Sequence, residues 1–199
     1  MMKMSKQQYY IFYKPYMVMS QFSPEGEKQT LAHYLSHLAK DIYPVGRLDY
    51  DSEGLLLLTN DTVLTHRLLE PKFAHKRTYW VQVDGDVSDE AIAQLCNGVI
   101  INNNGKDYKT KPAVAKKIIA PEVPERNPPI RYRKNIPTSW ISLTLTEGKN
   151  RQVRKMTAKV GYPTLRLIRY SIGKVTIENL QPGACIEVDK NIIQKLLAG

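Results

Sequence analysis

Five consecutive residues, Asp49-Tyr50-Asp51-Ser52-Glu53, place three carboxylates together in a chain that is otherwise strongly basic, with 29 Lys and Arg against 19 Asp and Glu and a formal net charge of +10. A carboxylate held in a basic protein is a natural reactive group toward an anion drawn there by the surrounding charge. Asp49 directly follows the apolar Leu48, and Arg47 stands two positions before it. Loops at strand ends are where scaffolds tend to hold reactive side chains. Asp49 is therefore the first candidate for chemistry, against the plainer reading of a solvated or capping acid. Asp49 and Asp51 also have the alternate spacing of a DxD cation site, since every second residue of a strand shares a face. Asp61 is more simply a helix cap.

Two further segments carry chemical side chains. In Lys76-Arg77-Thr78-Tyr79-Trp80-Val81, Tyr79 enters a strand behind two cations. A phenol there can stack on a nucleobase or move a proton, or it is an ordinary cross-strand aromatic. Glu147 to Lys174 holds eight basic residues (Lys149, Arg151, Arg154, Lys155, Lys159, Arg166, Arg169, Lys174) and one acid, Glu147. A helix with Val153, Met156 and Val160 turned inward leaves Arg151 and Lys155 four apart on an exposed face, suited to phosphates. An amphipathic helix with a merely solvated basic side is the alternative.

The elements that must position these groups follow from periodicity and punctuation. Strands are expected at Tyr9–Tyr13, Tyr16–Ser20, Val45–Leu48, Gly54–Thr59, Thr78–Val83, Val99–Ile101, Ala113–Ala120, Trp140–Thr146, Leu165–Tyr170, Val175–Ile177 and Ile186–Val188. The run Leu55–Leu58 lacks alternation and reads as buried on both faces. Helices are expected from a Thr30 cap to Leu38, from an Asp61 cap over Thr62–Leu69, from Ser88 to about Asn97, over Asn150–Val160 and over Asn191–Leu197. Asn102-Asn103-Asn104-Gly105 is a hairpin turn signal. Pro121 to Pro137 holds five prolines and no periodicity, so it reads as a loop; it includes the basic run Arg131-Tyr132-Arg133-Lys134. The mixture predicts an α+β chain: a mixed, mainly antiparallel central sheet in two lobes, flanked by a few helices. Residues 1–8 read as a flexible tail and 9–199 as a single catalytic domain.

Composition narrows the partners. The positive excess favours nucleic acid. Cys96 and Cys185 make no CxxC pair, and His33 and His37, four apart, have no HExxH context or third ligand. That pattern fits a reduced, cytoplasmic protein with no resident metal. No GxGxxG, Walker loop or GxSxG occurs, so no nucleotide cofactor is called for. No apolar run approaches the ~20 residues of a membrane span.

Taken in order, the three segments resemble the motifs of RNA pseudouridine synthases of the small-subunit (RsuA) type. Gly46-Arg47-Leu48-Asp49 through Leu58-Thr59-Asn60-Asp61 resembles their catalytic motif, and Arg77-Thr78-Tyr79 their Lys-x-Tyr motif. Glu147 to Met156, continued by Leu165-Arg166-Leu167-Ile168-Arg169 and Ile172-Gly173, resembles the third. Lys14-Pro15-Tyr16 with Met17-Val18-Met19-Ser20 matches their first strand pair. Arg126-Asn127-Pro128-Pro129-Ile130-Arg131 with Ile136-Pro137-Thr138-Ser139-Trp140 is similar to a large-subunit branch of the family. Ser52 stands where Thr is common, Thr62 where Gly is, and Arg77 where Lys is usual. The S4 RNA-binding domain that many relatives carry ahead of the catalytic domain is not expected, because eight residues precede Tyr9.

The resemblance implies isomerisation of one uridine of 23S ribosomal RNA to pseudouridine, on a nucleotide flipped out of its stack. It implies a catalytic set of Asp49, Tyr79 and Arg154, with Arg154 paired to Asp49. The RNA-binding residues it points to are Arg47, Arg77, Lys149, Arg151, Lys155, Arg166 and Arg169. It implies no cofactor, a monomer and no membrane partner. Two other readings stay open on the residues alone. One is a non-catalytic RNA-binding module; the other is a metal-dependent phosphodiesterase using Asp49, Asp51 and Asp61.

Overall fold

A computed structural model describes residues 6–130 and 137–197, with side chains described to residue 194. In chain order the elements are β1 (Tyr9–Lys14), β2 (Val18–Met19), β3 (Gln29–Thr30), α1 (Ala32–Leu35), β4 (Tyr43–Pro44), β5 (Glu53–Thr59), α2 (Thr62–Leu69), a 3-10 turn (Pro71–Phe73), β6 (Arg77–Asp84), α3 (Asp89–Asn97), β7 (Ile100–Asn103), β8 (Lys106–Lys109), β9 (Val114–Ile118), β10 (Thr138–Leu145), α4 (Gln152–Lys159), β11 (Thr164–Ile172), β12 (Val175–Thr176), β13 (Cys185–Glu187) and α5 (Lys190–Leu197). This is the expected α+β class, and it divides into two compact units, residues 1–75 with 173–199 and residues 76–172.

In the first unit β1 lies between β13 and β5, antiparallel to both, and β4 adds to the other edge of β5. Every residue of β1 and β5 is buried, which is why the four consecutive leucines need no polar alternation. Each such leucine stabilises the fold by ~1.5–3 kcal/mol through burial. On one side Tyr10, Phe12, Leu56 and Leu58 pack with Val18, Leu31, Leu35 and Ile42. β2 pairs with β3 in parallel. The Asp61 cap forms as expected: its carboxylate accepts the Leu64 N–H at 3.0 Å and starts α2 at Thr62.

In the second unit β6 lies between β11 and β10, and β9 closes the other edge of β10, all antiparallel. Val81, Val83, Ile141, Leu143, Leu145 and Leu167 line one face of this sheet, and Ala91 and Leu95 of α3 and Val153 and Met156 of α4 cover them. Ser88 caps α3 by accepting from the Ala91 N–H. The β7–β8 hairpin turns at Asn104 and Gly105, both at positive φ, as a tight hairpin demands.

Four expectations are corrected. Thr30 does not cap a helix; it is a strand residue opposite Met19, and α1 runs only from Ala32 to Leu35. Val45–Leu48 is not a strand. Ladder pairing stops at Pro44, and Gly46 turns the chain at φ +74. The helix expected from Asn150 begins at Gln152, with Arg151 in the left-handed region at φ +51 as its N-cap. Arg151 therefore precedes the helix face it was expected to share with Lys155. Tyr16 and Met17 stay outside β2, Met17 having φ +56. The basic run Arg131–Lys134, and Ile136, lie outside the described residues.

Candidate active site

The first group of candidate residues lies on the turn that follows Gly46. Val45 still donates its N–H to the Leu57 carbonyl at 2.7 Å. Beyond it the chain leaves the sheet, and a side chain distant in sequence takes over. Ser20, itself buried, receives the Leu48 N–H at 3.0 Å and donates its hydroxyl to the Leu48 carbonyl at 2.8 Å. One hydroxyl thus supplies both bonds a neighbouring strand would have given. On the far side, Met17 donates its N–H to the Tyr50 carbonyl at 2.9 Å, and Ser52 N–H closes the turn on the Asp49 carbonyl at 3.0 Å. Asp49 sits half-buried between these anchors while Arg47 is exposed. A carboxylate on a backbone pinned before and behind it is preorganised for chemistry at a fixed position.

The neighbouring acids have different work. Tyr50 and Asp51 form the turn, so the alternating strand geometry assumed for a DxD site does not apply. Glu53 is buried within β5. Asp61 caps α2 and also accepts the Tyr9 hydroxyl at 2.9 Å. Burial first, then this bond and the carboxylate's charge, push the Tyr9 phenol up to about 12. Among the described residues no group of three or more His, Cys, Asp or Glu side chains is placed to hold a metal ion.

A second group of candidate residues belongs to the other unit. Strand alternation puts Tyr79 and Trp80 on opposite faces of β6. Trp80 is the cross-strand aromatic, stacked on Tyr170 with centroids 4.0 Å apart and planes 17° from parallel. Tyr79 instead lies opposite Arg169 of β11, which is hydrogen-bonded to its hydroxyl. Burial lowers the pKa of the Arg169 guanidinium, the Tyr79 phenol pulls it back up, and the like charge of Arg77 lowers it again. Arg77, Tyr79 and Arg169 therefore form one electrostatic group.

The third motif forms the turn between β10 and α4. The buried Glu147 carboxylate accepts from Tyr108 Oη at 2.5 Å, Lys111 N–H at 2.9 Å and Gln152 Nε2 at 2.7 Å. Gln152 reaches back to accept the Lys149 N–H at 2.8 Å. Burial raises the Glu147 pKa, but these three donors and the Lys149 charge outweigh it and leave the carboxyl below its ordinary value. Lys149 is exposed and rests its ammonium 4.8 Å from the Tyr108 ring centre. Arg151 is exposed; Arg154 and Lys155, half-buried, occupy the first turn of α4, which carries no acid. Cations at a helix N-terminus oppose the helix dipole. A local rule broken in this way is expected where function demands the charge.

Two sequence expectations change here. Arg166 and Arg169 were assigned to phosphates at the surface, and each is only 5% exposed. Arg166 donates to the Pro124 carbonyl at 2.9 Å, and Arg169 serves Tyr79. Their charge is spent inside the unit. Ser20 and the clamping role of Glu147 were missed. Glu147 had one visible signal, as the sole acid in a basic run.

A family model described as RNA pseudouridylate synthase matches residues 8–159, which include Asp49, Tyr79 and Arg154. The chain belongs to the RNA pseudouridylate synthase family. It is an RNA pseudouridine synthase, an isomerase, as its three motifs implied. It is 51% identical over 178 residues to ribosomal large subunit pseudouridine synthase E of Vibrio parahaemolyticus serotype O3:K6, covering 89% of this chain and 72% of that protein. It is 49% identical over 173 residues to the protein of the same name from Xanthomonas campestris pv. campestris, covering 85% and 89%. These relatives bear out the likeness to a large-subunit branch of the family. A pseudouridylate synthase crystal structure matches 97% of this chain and 75% of its own with a TM-score of 0.77 at 27% identity. Neither the binding-module reading nor the phosphodiesterase reading gains support from this membership. No helix among the described residues is long and apolar enough to cross a membrane.

Proposed function

We propose that this synthase isomerises one uridine of 23S ribosomal RNA to pseudouridine, with Asp49 as the catalytic carboxylate. The observation that carries the assignment of Asp49 is its half-buried position on a turn anchored by Ser20 and Met17. The choice of 23S RNA is supported by the names of the large-subunit relatives. In this reading residues 9–199 act as one catalytic domain, working as a cytoplasmic monomer without a cofactor.

The nucleotide must leave its stack, at a cost of a few kcal/mol. Phosphate contacts from Arg47, Arg77, Lys149, Arg151 and Lys155 offset it. The N1–C1′ bond then breaks, the uracil turns, and C5 bonds to C1′. The C5 proton leaves and N1 gains one, so the reaction is redox-neutral. Ionised Asp49 acts either as nucleophile at C1′ or as base at C2′. Arg154 is the cation that acts with the Asp49 carboxylate in this reading. Tyr79, oriented by Arg169, stacks on the uracil or assists loss of the C5 proton.

Mapping pseudouridine in unmodified 23S RNA transcripts after incubation with the protein tests the reading. One new pseudouridine is expected, and an Arg154→Ala variant should leave the site as uridine. Transcripts without any new pseudouridine would overturn the proposal.

A further inference from the structure

α2 and the 3-10 turn after it expose three apolar side chains that the chemistry above does not use. Val63 is 75% exposed, Leu69 46% and Phe73 41%. Apolar side chains of this size seldom gather on a solvated surface without a partner. Two cations lie over one of them, Phe73. Arg67 Cζ lies 5.6 Å and Lys72 Nζ 5.1 Å from the Phe73 ring centre. The ring of buried His75 lies with its centroid 6.0 Å from that of Phe73. Glu70, also on this segment, lies 3.8 Å from His66.

The ring is held in place by the chain that carries it. Pro71 opens the 3-10 turn, and Ala74 closes it in the left-handed region at φ +48, with its N–H on the Pro71 carbonyl. The cluster also adjoins the catalytic segment of the same unit. A Cβ added at Gly46 would lie 3.0 Å from Leu69 Cδ2, so the chain leading to Asp49 runs directly against Leu69. Gly46 is three residues from Asp49, a span of at most ~11 Å.

We propose that Phe73 is a stacking platform for an unpaired nucleobase beside the target uridine, with Arg67 and Lys72 taking the phosphates on either side. The proposal rests on the RNA substrate assigned above. An exposed aromatic ring among cations is the arrangement by which proteins hold single-stranded RNA without reading its sequence. An acidic protein partner would satisfy the cations but leaves the ring without a specific role, so RNA is the occupant that uses both.

The test measures binding apart from catalysis. Anisotropy of a short fluorescein-labelled oligouridylate gives Kd for wild type, Phe73→Ala, Phe73→Trp and the double variant Arg67→Gln/Lys72→Gln. Phe73→Ala should weaken binding about tenfold, as expected for one lost stacked base, and Phe73→Trp should restore it. The double variant should lower the slope of log Kd against log salt by about 1.4, the contribution of two single-strand phosphates. With 5-tritiated 23S transcripts the Phe73→Ala loss should fall more in KM than in kcat. Since Phe73 is partly exposed, unchanged thermal unfolding is expected for all variants. A Phe73→Ala Kd within twofold of wild type overturns the platform whatever the activity. The expected Kd pattern with no tritium release by wild type would retain the platform and overturn the assignment of 23S RNA as the substrate instead.

Discussion

Tyr79 and Arg169 face each other across β6 and β11, and the guanidinium is hydrogen-bonded to the phenol inside the second unit. A buried arginine is costly unless its donors are matched. Here one matching group is the aromatic hydroxyl of the family's second motif, so that bond serves both stability and orientation. Tyr79→Phe should therefore destabilise the protein by about 1–3 kcal/mol in urea unfolding, the cost of an abandoned buried donor. A surface tyrosine would give a change near zero. Arg169→Lys should lower kcat more than it raises KM, because a lysine lacks the fork that fixes the ring.

Ser20 fixes the Leu48 backbone from both sides, one residue before Asp49. Ser20→Ala abandons a buried N–H and a buried carbonyl and should cost about 1–3 kcal/mol. The freed turn should also lower kcat by about tenfold or more, since small misplacements of a reacting group are expensive. Ser20→Thr, which keeps a hydroxyl, should recover part of the activity. Equal kcat for Ser20→Ala and wild type would detach this clamp from catalysis.

Glu147 holds the β10–α4 turn through three donors that favour its charged form. Its folded pKa lies below its unfolded value, so its contribution is present above the usual glutamate range and lost as pH falls through the folded value. Urea midpoints should thus decline on acidification more steeply in wild type than in Glu147→Gln. At neutral pH Glu147→Gln should lower kcat, because Arg151 and Arg154 follow directly on this turn.

Tyr9 has the opposite sign. Its pKa is raised from 10.0 to about 12, so the stability it contributes is complete below pH 10 and disappears as pH rises toward 12. Unfolding midpoints between those limits should fall more steeply for wild type than for Tyr9→Phe. Parallel curves would separate the Tyr9–Asp61 bond from stability.

The exposed Arg151 and the half-buried Lys155 are proposed phosphate contacts. Replacing either with alanine should weaken RNA binding and lower the salt slope by about 0.7–0.9, one phosphate each. Arg166→Ala should leave that slope unchanged and instead destabilise the fold, because its guanidinium is buried on the Pro124 carbonyl.

What the sequence discloses here divides along the range of the interactions. Asp61 and Ser88 cap their helices and Asn104-Gly105 turns its hairpin because each acts on residues within four positions of itself. The burial of Leu55–Leu58 was readable for the same reason: a run without polar interruption has no face to give to water. Where a distant partner decides, local pattern misleads. Val45–Leu48 has the composition of a strand, yet Ser20, 28 positions away, supplies the bonds of Leu48. Arg166 looks like any cation in a basic run until Pro124, 42 positions away, receives it. Arg151 was expected inside a helix, but a left-handed cap is a backbone state its side chain does not announce. Asp49 was singled out because acids in a basic chain are conspicuous at any range.

The most direct test of the proposed role of Asp49 is tritium release from 5-tritiated 23S RNA by Asp49→Asn, with RNA affinity measured in parallel. The expected result is affinity close to wild type and no release above background. Release approaching the wild-type level from a variant that binds RNA normally would contradict the assignment of the chemistry to this carboxylate.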